Sequence, residues 1–213
     1  IPQYASLMKQ GVWQATSINP VQNTLGRTLH SRVLGIWGYG RIGLRVARFA
    51  EAFGMRVMVW GSDASREKAV ADGFSAAPST AALFAQADVL SLHLRLTDST
   101  RHSVRADDLA LMKQDALIVN TSRAELIAPG ALEAALRAGR PGYAALDVFE
   151  SEPLPPTATL LQLDNAAYWF CRAGKLRKIL PPCLRGDRRF RQWQASQGCR
   201  VQALKHEPPT IAL

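Results

Sequence analysis

The chain has 213 residues, 47% of them hydrophobic and 20% charged, with a formal net charge of +9. That length suffices for one well-buried α/β domain, or for one domain with a small appendage. No segment is apolar over the length of a membrane span and the first residues lack the charged-then-apolar order of a signal peptide, so a soluble, cytoplasmic protein without membrane contact is expected.

Apolar runs at Val33–Trp37, Arg56–Trp60, Val89–Leu92, Ala116–Asn120 and Ala144–Val148 read as short buried strands. Between them a 3.6-residue period predicts helices over Ile42–Phe53, Arg66–Asp72, Thr80–Ala85, Arg105–Leu111 and Pro129–Ala138, the last stopped by Gly139. Strand–helix alternation of this length implies a parallel sheet with right-handed crossovers and helices on both faces, the doubly wound, Rossmann-like α/β class. Ligands of such sheets sit beyond the carboxyl ends of the strands.

The first strand runs directly into "GYGRIG", a G-x-G-x-x-G triplet that opens a helix. Gly38 permits the tight turn, Gly40 lets the backbone approach a pyrophosphate, and Gly43 allows close helix–strand contact. Free N–H groups at the helix start face the phosphates. Gly38, Tyr39, Gly40, Arg41, Ile42 and Gly43 are therefore candidate dinucleotide-binding residues, against the plainer reading of glycines in a turn. The second strand should end in a carboxylate for the adenosine ribose, but that position is Gly61. Asp63 could substitute, or could merely cap a helix; Ser62 and Arg66 would tolerate or attract a 2′-phosphate. NAD and NADP both stay open, with Ser62 and Asp63 as candidate contacts.

Beyond Asn165 the composition changes. Residues 1–165 carry 16 Lys+Arg against 15 Asp+Glu, whereas residues 166–213 carry 10 against 2. The basicity thus belongs to a tail that lacks repeats and a clean helical pattern, which makes nucleic-acid binding through it the weaker reading of the charge. Cys171, Cys183 and Cys199 lie in the same tail at spacings that match no zinc or redox motif, so no metal site is expected. The chain opens at Ile1 rather than Met, as a fragment or processed product would.

Four ordered motifs, "GIWGYGRIG", "DVLSLHLRLTDSTRH", "ALIVNTSRAELI" and "AALDVFESEPLP", resemble the D-isomer-specific 2-hydroxyacid dehydrogenase family, which includes D-3-phosphoglycerate dehydrogenase, over about residues 1–165. The resemblance implies an NAD(P)-dependent oxidoreductase that moves a hydride between nicotinamide and the CH–OH carbon of a 2-hydroxy acid such as 3-phosphoglycerate. It implies that Arg123 binds the substrate carboxylate and polarises its carbonyl, a task suited to a planar guanidinium. It gives Asp147 the nicotinamide amide, makes Glu152 the partner that orients a catalytic histidine, and sets His93 and Thr121 beside the cofactor. The plainer readings are Arg123 as a surface charge, Asp147 and Glu152 as loop caps, and His93 as a satisfied buried ring. Two departures stand out: Ala124 follows the arginine where the family usually has Gly, and Arg95 stands where it usually has Pro.

The same resemblance sets the proton-carrying histidine in a Pro-His-x-Gly motif about twenty residues after the glutamate. Here no histidine follows Glu152 until His206. One account is that residues from Ala166 onward are translated out of frame: advanced by one nucleotide, permissible codons for Ala166 to Phe170 read Pro-His-Ile-Gly-Phe. The expected organisation is a linker or arm remnant over 1–30, a dinucleotide-binding domain over 31–165, and an aberrant basic tail over 166–213. The family's substrate domain is expected to be missing before residue 1, so an impaired or inactive enzyme is expected, with a non-catalytic dinucleotide-binding module as the alternative. Family members are commonly dimers through the cofactor domain and its flanking arm, so a homodimer is also expected.

Overall fold

A computed structural model describes residue 11 and residues 27–168 other than 153 and 156. Its strands are β1 (Val33–Trp37), β2 (Arg56–Trp60), β3 (Ser75–Ala76), β4 (Val89–Leu92), β5 (Leu117–Asn120), β6 (Tyr143–Leu146) and β7 (Ala166–Tyr168). All pair parallel in one sheet of order β3-β2-β1-β4-β5-β6-β7. The order reverses between β1 and β4, which opens a crevice at the carboxyl ends of those two strands. The doubly wound expectation holds.

The helices among the described residues are α1 (Arg41–Ala52), α2 (Asp63–Ala71), α3 (Thr80–Gln86), α4 (Ala106–Ala110) and α5 (Ala131–Arg137). Strand alternation divides the core between the two faces of the sheet. Leu34, Ile36, Val57 and Val59 pack with Ala47, Ala50, Ala69 and Phe74 on the α1–α2 side. On the other side Trp37, Leu90, Leu92 and Ile118 pack with Leu83, Phe84, Leu109 and Leu136. Small residues Gly43, Ala47 and Ala50 form the buried face of α1, which lets that helix lie close on β1. No described helix is long and apolar enough to cross a membrane.

Several elements differ from the expectation. α2 starts three residues early, because Ser62 rather than Asp63 is its N-cap and accepts the Ser65 N–H. β3 is two residues long, too short to leave a period in the sequence. β7 carries the sheet three residues past the border read at Asn165, with Ala166, Ala167 and Tyr168 opposite Ala144, Ala145 and Leu146. Backbone pairing of this kind is indifferent to the change in charge beyond it. The rest of the basic tail from residue 169, with its three cysteines and most of the span read as out of frame from Ala166 onward, lies outside the described residues, as does the arm apart from residues 11 and 27–30.

At the opposite, amino edge of the sheet, Asp88 ties three strands together. Its Oδ2 accepts the Val33 N–H at 2.7 Å, and its Oδ1 accepts from Lys113 Nζ at 2.8 Å and lies 3.7 Å from Arg32 Nη1. The Leu117 N–H donates to its carbonyl at 3.0 Å. Burial acts to raise the carboxyl's pKa, but the hydrogen bonds from Lys113 and Val33 and the nearby Lys113 and Arg32 charges hold it below the ordinary 3.8. Asp88→Asn should therefore lower stability by about 1–3 kcal/mol at pH 7. A depressed carboxylate stabilises above its unfolded value and loses that contribution as pH falls through the folded one. The gap between wild type and variant in urea unfolding should accordingly shrink below about pH 4.

Candidate functional site

The strand register aligns the candidate residues. Trp60, Trp37, Leu92, Asn120 and Leu146 stand side by side as the last residues of β2, β1, β4, β5 and β6. The next residues on those strands are Gly61, Gly38, His93, Thr121 and Asp147. Backbone bonds continue the ladder into this second row: Gly38 N–H to Trp60 O at 2.9 Å, His93 N–H to Trp37 O at 2.8 Å, and Asp147 N–H to Asn120 O at 3.1 Å. With strands about 4.8 Å apart, the row is roughly 20 Å long.

At its centre, Gly38 has φ +102° and a Cβ there would come within 2.8 Å of the His93 carbonyl oxygen. A Cβ on Gly43 would collide with the Gly38 carbonyl. Gly40 differs from both, because nothing lies within 4 Å of where its Cβ would stand. It is the N-cap of α1, supplies no side-chain cap, and its carbonyl receives the first intrahelical bond, from Leu44 N–H at 3.0 Å. The amides of Arg41, Ile42 and Gly43 thus precede any intrahelical acceptor and border open space. This fits a diphosphate: donors at a helix start, and room that a side chain would fill. Arg41 and Ile42 are exposed. Tyr39 is not: its ring packs edge-on to Phe74 and its hydroxyl donates to Asp72 Oδ2 at 3.0 Å. Burial, then the Asp72 bond, push its pKa up to about 12. Only its backbone can face a cofactor.

Beside this turn, Gly61 presents no side chain, Ser62 caps α2, and Asp63 pairs with Arg66, whose guanidinium lies 4.7 Å over the Trp60 ring. On the other side, His93 is half-buried and shares a 3.0 Å hydrogen bond between its Nε2 and Ser91 Oγ. Burial lowers its pKa, so the ring is neutral at pH 7. Arg95, two residues on, is exposed.

Arg123 is held by its neighbours. Asn120, 1% exposed, donates from Nδ2 to the Arg123 carbonyl at 2.7 Å and accepts the Ser122 N–H on Oδ1 at 3.1 Å. Ser122 Oγ donates to the Leu94 carbonyl at 2.7 Å, joining this loop to the one after β4. Ala124 opens a 3₁₀ turn, Ala124–Leu126, with no positive φ, so alanine fits where the family usually has glycine. Glu152 sits apart, exposed, its Oε1 accepting the Phe149 N–H at 3.1 Å in its own loop. The sheet therefore brings Gly38, His93, Thr121 and Asp147 into one row, sets Ser62, Asp63 and Arg123 just beyond it, and leaves Glu152 five residues past β6's contribution.

Asn120, Ser122 and Ser91 were missed as positioning residues. The available signal was polarity: Ser91 and Asn120 are the buried polar residues among the described core, each inside an apolar strand. Asn120→Ala should leave the Ser122 N–H and Arg123 carbonyl unpartnered, at a cost of about 1–3 kcal/mol. Hydrogen exchange should show faster exchange at the Ser122 amide, with the β1 amides unchanged.

Residues 1–168 match the D-isomer specific 2-hydroxyacid dehydrogenase, NAD binding domain. A glyoxylate reductase from Aeropyrum pernix is 45% identical over 142 residues, 66% of this chain and 42% of that protein. A D-3-phosphoglycerate dehydrogenase from Methanocaldococcus jannaschii is 39% identical over 165 residues, 78% of this chain and 30% of that one. The crystal structure of a phosphoglycerate oxidoreductase from Vibrio cholerae superposes with a TM-score of 0.70 at 50% identity, covering 79% of this chain and 52% of that one. The chain spans about half the length of such relatives, or less. By the extent of the family match, and by a glycine turn and strand-end row that fit NAD(H), the chain belongs to the D-isomer specific 2-hydroxyacid dehydrogenases and carries their NAD-binding domain.

Proposed function

We propose that this protein binds a nicotinamide dinucleotide along the Gly61-to-Asp147 row and presents Arg123 to the carboxylate of a small 2-hydroxy or 2-oxo acid. The carrying observation is the open α1 start at Gly40, three residues past the end of β1. In this reading the amides of Arg41 to Gly43 hold the diphosphate, Asp147 takes the nicotinamide amide, and Ser62, Asp63, His93 and Thr121 flank the dinucleotide. The bound nicotinamide supplies or accepts the hydride. Arg123 grips the carboxylate through two parallel donors and draws charge onto the carbonyl oxygen. The Asn120 and Ser122 bonds hold the Arg123 backbone in place beforehand, which lowers the ordering cost of substrate binding. The relatives named for glyoxylate and 3-phosphoglycerate indicate the substrate class.

Turnover by this polypeptide is expected to be low. Glu152 is the group that would orient a histidine, but it caps its own loop and no histidine follows it before His206. Those same two observations favour the second reading, a dinucleotide-binding module without catalysis. Titration with NADH, followed by nicotinamide fluorescence, should show saturable binding. Gly40→Ala should weaken it severalfold with only a small fall in melting temperature, since the added Cβ meets no protein atom. Glyoxylate or hydroxypyruvate added to the NADH complex should give oxidation near background; fast oxidation would overturn the low-turnover reading, and a ternary complex without oxidation would argue against the bare module.

The homodimer is also part of this reading. Phe49 on α1 and Phe53, which caps its C-terminus, are 66% and 64% exposed about one turn apart, beside the point where Ser31 N–H bonds the Gly54 carbonyl and the chain enters the domain. Two large exposed rings in one stripe suit a second copy of the chain. Light scattering after size exclusion should give twice the chain mass for wild type and one chain mass for Phe49→Arg, with unchanged NADH binding.

A further inference from the structure

The glycine turn carries one large side chain, and it is turned inward. Tyr39 stands between Gly38 and Gly40 with 3% of its surface exposed. Its ring meets Phe74 edge-on with 6.1 Å between centroids, and its hydroxyl donates to Asp72 Oδ2 at 3.0 Å, 33 residues along the chain. Both partners belong to the corner that ends α2, where the Phe74 N–H bonds the Ala69 carbonyl. Arg48 of α1 covers the Phe74 ring at 4.9 Å and pairs with Glu51 at 3.2 Å, so the helix that the turn opens reaches the same corner. Asp72 caps the C-terminus of α2, where the helix dipole disfavours a negative charge. Among the described residues its side chain makes no ion pair and takes its hydrogen bond from Tyr39. A carboxylate kept in that place against the dipole serves the Tyr39 hydroxyl. Glycine on either side gives the turn the room a diphosphate needs and also the freedom to move. The side chain between them, fixed at its far end, removes that freedom.

We propose that Tyr39 is a positioning residue for the diphosphate: tethered to Asp72 and packed on Phe74, it holds the Gly38–Gly40 backbone, and with it the α1 start, in the binding geometry before a dinucleotide arrives. The inference rests on the dinucleotide reading above and adds to it a corner of the fold that stands outside the strand-end row. A site ordered in advance binds more tightly because the ligand does not have to order it. Coupling of this kind is reciprocal, so a ligand that orders the turn also strengthens the Tyr39–Asp72 bond.

The test is a double-mutant cycle on the full chain, read by NADH fluorescence titration below the melting temperature of every variant. Tyr39→Phe keeps the ring and loses the hydroxyl, and Asp72→Ala loses the acceptor. Each should weaken NADH about fivefold, a part of what a hydrogen bond to a carboxylate contributes, and the double variant should weaken it no further. Asp72→Asn, which keeps an acceptor oxygen, should recover most of the loss. A tether with a structural role alone would lower the melting temperature and leave NADH affinity as it was, which would overturn the proposal. Losses that multiply to about twenty-five-fold in the double variant would do the same, since they make the two residues independent. Hydrogen exchange gives a reading without cofactor: Tyr39→Phe should speed exchange at the Gly38 and Leu44 amides, which bond the Trp60 and Gly40 carbonyls, and leave the β5 amides unchanged. Unaltered exchange at Gly38 and Leu44 would also overturn the proposal. In each of these cases NADH binding by the wild type keeps the dinucleotide reading intact; its absence would overturn that reading and the positioning role together.

Discussion

The site depends on how closely the exits of β1 and β4 can run together before they part. The two strands are hydrogen-bonded neighbours up to Trp37 and Leu92, and their chains then turn toward opposite faces. Gly38 sits at the divergence in a backbone conformation that side-chain-bearing residues rarely adopt, with the His93 carbonyl where its Cβ would be. Gly43 brings α1 back onto the same turn. Any side chain at either position would push the helix start away from the sheet and close the crevice. The middle glycine of the triplet obeys a different constraint, since at Gly40 the room belongs to no protein atom. Two glycines build the turn, and the other leaves it open.

The two edges of the sheet use polar groups in opposite ways. At the amino edge, Asp88 with Lys113 and Arg32, and Asp115 with Arg27, form a charged clasp that holds strand starts together. At the carboxyl ends of β4 and β5 the loops are held by neutral groups: the Asn120 amide, the Ser122 and Ser91 hydroxyls and an uncharged His93. Burying a neutral amide inside an apolar strand costs free energy unless both ends are bonded, and Asn120 meets that condition by clasping the loop that carries Arg123. The same loop carries the Arg123 guanidinium, whose Nη1 donates to the Ser122 carbonyl at 2.6 Å.

How much could be read in advance followed from which physical signal each element carries. β1, β2 and α1 were legible because burial imposes a strong period on them. α2 buries only Ala69, so its start could not be read from apolar spacing, and the Ser62 cap is a hydrogen bond that period analysis does not see. β7 was hidden by a compositional border, because a parallel ladder needs backbone rather than any particular charge. The glycine triplet was legible as chemistry, yet the direction of Tyr39 was not, since its inward turn depends on Phe74 and Asp72, more than thirty residues away in the chain. The Ala124 departure proved harmless because its conformation needs no glycine, a matter of φ that residue identity alone does not reveal.

Binding and turnover draw on different parts of this architecture. Gly61, Gly38, His93, Thr121 and Asp147 directly follow their strands, where the ladder sets their positions to within the rigidity of the sheet. Arg123 lies three residues past β5 but is returned to the framework by Asn120 and Ser122. Glu152, among the described residues, accepts the Phe149 amide of its own loop, which ties its position to that loop. A proton carrier oriented by Glu152 would inherit that tie. The row of strand ends itself is set by the parallel ladder that runs from β2 to β6.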